Sequence, residues 1–284
     1  MQRLSIAVLA ALGAALVVVS LSAAAHQGTH ATHQPHRIIS LSPTATEDLF
    51  AIGAGKQVVA VDQDSDYPTR APRTSLSGLD PNVEAITNYH PDLVVFSNGG
   101  AFVQQLTALG IRVVVEPATK TITGVYAQIK ELGRITGHVS RARKLASSMA
   151  QQMRTIVHSV PKSRRHLRVY HELDPTYYSA TSLTFIGSIY KLFGFRNIAD
   201  AATGAAAAGG YPQLSAEYIL AKNPQIIVLA DGQTPAQAEA RPGWDTTSAV
   251  EHNRVVAVNE DVASRWGPRI VLFARTVARI AKRS

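Results

Sequence analysis

Most patterns in this sequence that could carry chemistry fail on their spacing. His171-Glu172 opens like the ligand and base of a zinc-hydrolase helix, but no second histidine follows four positions on. Gly204 and Gly209 in GAAAAGG have the separation of a phosphate loop, yet Gly210 and Tyr211 stand where lysine and a hydroxyl residue are needed. No G-x-S-x-G elbow is present. The sequence holds no cysteine, which excludes a thiolate nucleophile, a cysteine-type zinc site, disulfides and a lipid-modified N-terminal cysteine. No catalytic residue, resident cofactor or metal site is therefore expected, and the chain does not read as an enzyme.

What remains is a pair of acids. EAITNYHPDLVV from Glu84 and EYILAKNPQIIV from Glu217 share a glutamate, an isoleucine two later, a proline seven later and an apolar strand beyond it. The offset between them is a constant 133 residues (217 − 84). One acid in a first helical turn is explained by the positive end of the helix dipole. The same residue in the same register of both halves points instead to a paired surface feature, able to make short charge-assisted bonds to cationic partners.

Such a pair needs rigid carriers, and the surrounding pattern supplies them. RIISL reads as a strand, and SPTATEDLFAIG as a turn and a helix stopped by Gly53. Further strands are expected at 58–62, 93–96 and in IRVVVE, with helices at 83–90 and 102–109. Strand and helix alternate with short connections, the grammar of an α/β layer on a mostly parallel sheet. Between 123 and 161 no strand signal occurs. There Ser140 is a candidate N-cap, and Leu145, Met149, Met153, Ile156 and Val160 fall at helical spacing. About 20 residues at helical rise make a rod of roughly 30 Å. The strand–helix pattern restarts at LRVYHE, and YKLFG ending at Gly194 echoes LFAIG ending at Gly53. The expected fold is α/β: two similar α/β lobes, 37–122 and 162–284, joined by one long linking helix within 123–161.

The N-terminus sets the compartment. Arg3, an apolar run from Leu4 to Leu21 and Ala23-Ala24-Ala25 read as a secretory signal peptide, 1–25, cut after Ala25. The competing reading is an uncleaved anchor, since the run approaches the ~20 residues that span a bilayer. Residues 26–36, HQGTHATHQPH, form a histidine-rich linker, read as a disordered tether with metal scavenging as the alternative. Of 284 residues, 46% are hydrophobic, enough for a sizeable core. Removing 1–25 takes one basic residue, leaving a charge of +7 (27 − 20). Lysine and arginine are scattered, so nucleic acid is not an expected partner.

From Arg37 onward the sequence resembles the bilobal periplasmic substrate-binding proteins of ABC importers for vitamin B12, haem and ferric siderophores. RIISLSPTATEDLFAIGAG, SDYP at 65–68, the two Glu-helix-Pro-strand units, FIGSIYKLFGFRNI and SRWGPRI carry the resemblance, which is closest to the vitamin B12-binding member. It implies a clamp with a limited hinge and a ligand held at the carboxyl ends of the strands; the signal peptide and the absence of cysteine add the expectation of a monomer in the periplasm without a lipid anchor. It further implies that Glu84 and Glu217 dock onto arginines of an ABC permease dimer in the inner membrane. The transported ligand would be a large metal chelate: a corrinoid first, haem or a ferric siderophore second.

The resemblance also assigns ligand contacts. Tyr67, Tyr178 and Tyr211 match aromatic positions, and Asp261 with Arg265 matches a polar pair that meets ligand amides. Trp266 joins them by its expected exposure in the same loop. Tyr67 is the candidate axial ligand if the chelate is haem. Two positions depart from the pattern, since Leu76 and Ser97 stand where the B12-binding member has tryptophans, and SGLDPNVE is two residues longer. His171 and Trp244 read as buried structural residues. A secreted hydrolase and a ligand sensor are the rival classes.

Overall fold

The computed structural model describes residues 34–283. The expected signal peptide and residues 26–33 of the linker lie outside the described residues. Eight short strands rich in Val, Ile and Leu carry the architecture. The first lobe runs β1 (Ile38–Leu41), α1 (Pro43–Ala51), β2 (Val58–Val61), α2 (Val83–Thr87), β3 (Leu93–Phe96), α3 (Ala101–Ala108) and β4 (Arg112–Val115). Two helices follow, α4 (Ile122–Ile135) and α5 (Val139–His158). The second lobe contains β5 (Arg168–Glu172), α6 (Phe185–Leu192), β6 (Arg196–Asn197), α7 (Ala216–Lys222) and β7 (Ile226–Leu229). It continues through α8 (Pro235–Glu239), α9 (Ser248–Glu251), β8 (Val255–Ala257), α10 (Glu260–Ser264) and α11 (Ile270–Ala281).

Each lobe has one four-stranded parallel sheet, ordered β2-β1-β3-β4 in the first and β6-β5-β7-β8 in the second. The orders are equivalent, and β3 and β7 start 133 residues apart (226 − 93), the offset of the two glutamates. The central strands are buried on both faces, as parallel sheets require. Alternate residues serve different cores. Ile38, Leu93, Val95, Val169, Ile226 and Val228 face one continuous core that includes α4, α5 and α11. Ile39, Leu41, Val94 and Phe96 face a separate cluster in the first lobe, and Tyr170, Ile227 and Leu229 face one in the second, where Trp244 is buried. A core shared through the connecting helices favours small rotations of the lobes over wide opening.

The link is a pair of helices, not a single rod. Gly137, at φ +78°, turns the chain after α4, and a β-carbon on Gly133 would fall 2.2 Å from that of Ala142, so α4 and α5 pack in near contact. The expected N-cap Ser140 is inside α5. The helix starts from His138, whose side chain makes no capping bond but whose Nδ1 lies 2.9 Å from the Thr136 carbonyl oxygen. The reversal after Gly137 is so tight that α5 begins before the serine is reached. The last residues of the linker are also not a free tether. The Gln34 amide donates to the Thr136 carbonyl at 2.8 Å, the Pro35 carbonyl accepts from Gln57 at 2.7 Å, and the His36 N–H donates to Asp92 at 2.7 Å.

Candidate functional site

A cleft of about 470 Å³ opens between the lobes at the carboxyl ends of the strands, where open α/β folds bind ligands. The first lobe contributes the N-cap and first residues of α1 (Ser42 to Thr44), Ser97 after β3, and Ala118 to Lys120 after β4. The second contributes Leu173 after β5, Leu183 and the start of α6, Tyr211, and the end of α10 through Trp266. Its volume lies within the range of small-molecule sites, and its walls are mainly apolar with scattered hydroxyls.

Three of the six expected ligand residues, Tyr211, Arg265 and Trp266, line this cleft. Tyr211 is held by backbone pairing: the Thr181 N–H donates to Gly210 and the Ser179 N–H to Pro212, at 2.8 and 2.9 Å. Burial raises the Tyr211 phenol above its ordinary pKa, a shift that the Thr184 hydroxyl opposes. Trp266 is half-buried rather than fully exposed, because its ring packs on the shared core. Tyr178, bridged to Gln213 next door, is 41% exposed and lies outside the cleft lining. Tyr67 lines a different hollow of about 370 Å³, with Phe50, Met149 and Leu272, and the Arg269 guanidinium sits 4.4 Å from its ring centre.

Arg265 and Asp261 come together, but on each other. Arg265 pairs with Asp261 at 2.7 Å, with Asp66 of the SDYP turn at 2.8 Å and with Glu47 of α1 at 3.1 Å, and donates to the Asp64 carbonyl at 3.1 Å. Arg269 grips the same Glu47 carboxylate through two bonds of 2.5 and 2.8 Å. Glu47 is buried, and among the described residues its ion-pair partners are these two arginines of the opposite lobe. Sequence reasoning missed this junction, and with it Glu47, Asp66 and Arg269. The available signal was the TED of SPTATEDLF, two acids in an otherwise apolar helix.

Glu84 and Glu217 occupy equivalent positions. Each is the second residue of its helix, after N-caps Asn82 and Ser215 that accept from the backbone N–H three residues on. Both are exposed, while Ile86 and Ile219 on the same helices are fully buried. The Glu217 carboxyl is held below its ordinary pKa by its own backbone N–H and then by Ser215. His171 is buried and neutral: burial lowers its pKa to about 3, and its Nδ1 lies 2.6 Å from the Tyr190 hydroxyl. Leu76 packs in the first-lobe core and Ser97 faces the cleft, so neither supplies a stacking surface. No helix among the described residues is long and apolar enough to cross a membrane.

Residues 38–262 match the model of the periplasmic binding protein family, and the chain belongs to that family of solute-binding proteins, which are not enzymes. It is 33% identical over 252 residues to the cobalamin-binding protein of Halobacterium salinarum, covering 84% of this chain and 67% of the relative. With the uncharacterized ABC transporter substrate-binding lipoprotein YvrC of Bacillus subtilis it is 30% identical over 264 residues, covering 89% and 82%. The solved vitamin B12-binding protein BtuF of Vibrio cholerae shares the fold with a TM-score of 0.72 at 27% identity, covering 88% of this chain and 99% of that one.

Proposed function

We propose that this chain captures cobalamin or a related corrinoid between its lobes and delivers it to an ABC permease dimer in the inner membrane. The observation that carries the reading is the interlobe cleft itself: Tyr211, Trp266 and Phe185 offer flat apolar faces, with no acid among the lining residues. Such a surface suits a large, mainly apolar macrocycle that needs contact area rather than a reactive group. The relatives named for cobalamin and vitamin B12 support the same choice. The protein works as an exported monomer, and the lack of cysteine in its sequence favours an unlipidated carrier.

Glu84 and Glu217 are the docking acids, one for each permease subunit. Exposed ion pairs contribute about 0–1 kcal/mol each, so they set register and approach more than affinity, which suits a carrier that must release. Replacing both with alanine is expected to spare ligand binding and abolish uptake into cells. Uptake that survives the double substitution refutes the docking assignment.

One feature favours haem as second reading, a phenol in the cleft that can ligate ferric iron. It belongs to Tyr211 and not to Tyr67, and burial raises its pKa, which disfavours the phenolate a ferric ligand requires. Incubation with cyanocobalamin, haemin and a ferric siderophore, followed by absorbance and titration calorimetry, separates the readings. Cobalamin binding is the expected result. A haem Soret shift lost in Tyr211→Phe, with no cobalamin bound, reverses the order.

A further inference from the structure

Only two charged side chains line the cleft, Lys120 and Arg265, and both are cationic. Arg265 is already neutralised by Glu47, Asp66 and Asp261. Lys120 is different. It is exposed, and no carboxylate among the described residues lies within ion-pair distance of it. Its loop is braced rather than loose: the Thr121 N–H donates to the Thr119 hydroxyl at 3.3 Å, and Gln128 donates to the Pro117 carbonyl at 2.7 Å. The ammonium therefore stands on the first-lobe wall of a cleft whose second-lobe lining includes Leu183, Phe185, Tyr211 and Trp266.

We propose that Lys120 is the anion subsite of the cleft, and that the ligand taken there carries a carboxylate or phosphate group on an apolar body. The proposal rests on the cleft reading above and deepens it. A lysine offers a compact point charge on a flexible stem, so it suits a pendant anionic group better than a planar one fixed by two parallel bonds. A partly apolar cleft strengthens the attraction relative to open water, since less solvent screens it. Ligands without an anionic group gain nothing from this residue, so Lys120 selects for that group where the apolar wall selects for shape.

Two chelate classes carry such a group: corrinoids through the nucleotide phosphodiester, and haem through its propionates. The test is calorimetric titration of the folded wild type, Lys120→Met and Lys120→Arg with four probes. These are cyanocobalamin, dicyanocobinamide (which lacks the nucleotide and its phosphodiester), haemin and haemin dimethyl ester. For whichever charged chelate binds, Lys120→Met is expected to weaken affinity about tenfold and to flatten its salt dependence, with Lys120→Arg retaining most of it. The phosphate-free or esterified partner is expected to bind wild type and Lys120→Met alike. Equal affinity of wild type and Lys120→Met for the charged probe overturns the subsite alone. Equal losses for charged and uncharged probes do the same, since they mark a structural effect. If wild type binds none of the four probes, the cleft reading falls and the subsite with it.

Discussion

In the second lobe the buried carboxylate of Glu172 is fully engaged within its own lobe. Arg241 donates to both its oxygens at 2.5 and 2.7 Å, the Tyr170 hydroxyl donates at 2.9 Å, and the guanidinium lies 4.4 Å from the Trp244 ring centre. In the first lobe, both carboxylate oxygens of Asp48 and one of Glu116 are buried with no hydrogen-bond partner. Burial first, and then the neighbouring acids Glu116 and Glu47, raise Asp48 well above the ordinary carboxylate range. Burial and then Glu131 push Glu116 up to about 8. Glu47, the remaining buried acid of α1, finds its arginines only across the junction. Burial raises the Glu172 carboxyl as well, against the pull of Arg241, so the two lobes of one topology differ in the partners they give a buried acid. The second is self-sufficient, and the first keeps acids protonated or borrows cations from its partner.

The largest effect expected from this contrast is at Arg241. Its replacement by alanine leaves the Glu172 charge buried without compensation, and about 3–5 kcal/mol of unfolding free energy should be lost in urea titrations. A loss under about 1 kcal/mol would remove the contrast, because the pair would then matter no more than an exposed one. Next comes pH. Glu116 has a folded pKa of about 8, above the ~4.3 of an unfolded glutamate, so the folded state holds its proton more tightly. Its contribution is fully present below about pH 4.3 and is lost as pH rises towards 8, by up to about 1.4 kcal/mol per pH unit. Glu116→Gln should therefore raise the melting temperature more at about pH 8 than at about pH 5. A uniform change across that window would mean that Glu116 does not titrate as described. The smallest effect tests the likeness of the lobes rather than their difference. Asn82→Ala and Ser215→Ala remove equivalent N-caps and should each cost about 1 kcal/mol. Costs that differ severalfold would show that α2 and α7 are not equivalent platforms.

The parts of the fold legible in the sequence are those set by near neighbours. Strands such as LVVF and IIVL are continuous apolar runs, Gly53 stops α1 by a left-handed turn, and the glutamate repeat keeps its 133-residue offset through helix and strand. Both acids were found from that register alone, and both are exposed. The cleft was only partly legible. Arg265, expected with Asp261 on the ligand, is instead tied to Glu47 and Asp66, which lie 218 and 199 residues away, and no local pattern records that pairing. Tyr67 sits in a turn against Arg269 of the other lobe, a contact between distant stretches of chain that no local pattern records. Lys120 went unnoticed for the reverse reason: an isolated lysine in a loop carries no pattern, and its place became visible only when the opposite wall was present.

The central claim is that a corrinoid binds in the interlobe cleft. Calorimetric titration of the exported chain with cyanocobalamin, alongside Trp266→Ala and Tyr67→Ala, tests it most directly. Saturation at one equivalent, weakened about tenfold or more by Trp266→Ala, is the expected outcome. Undiminished binding by Trp266→Ala together with loss in Tyr67→Ala would contradict it and move the ligand to the hollow beside Arg269.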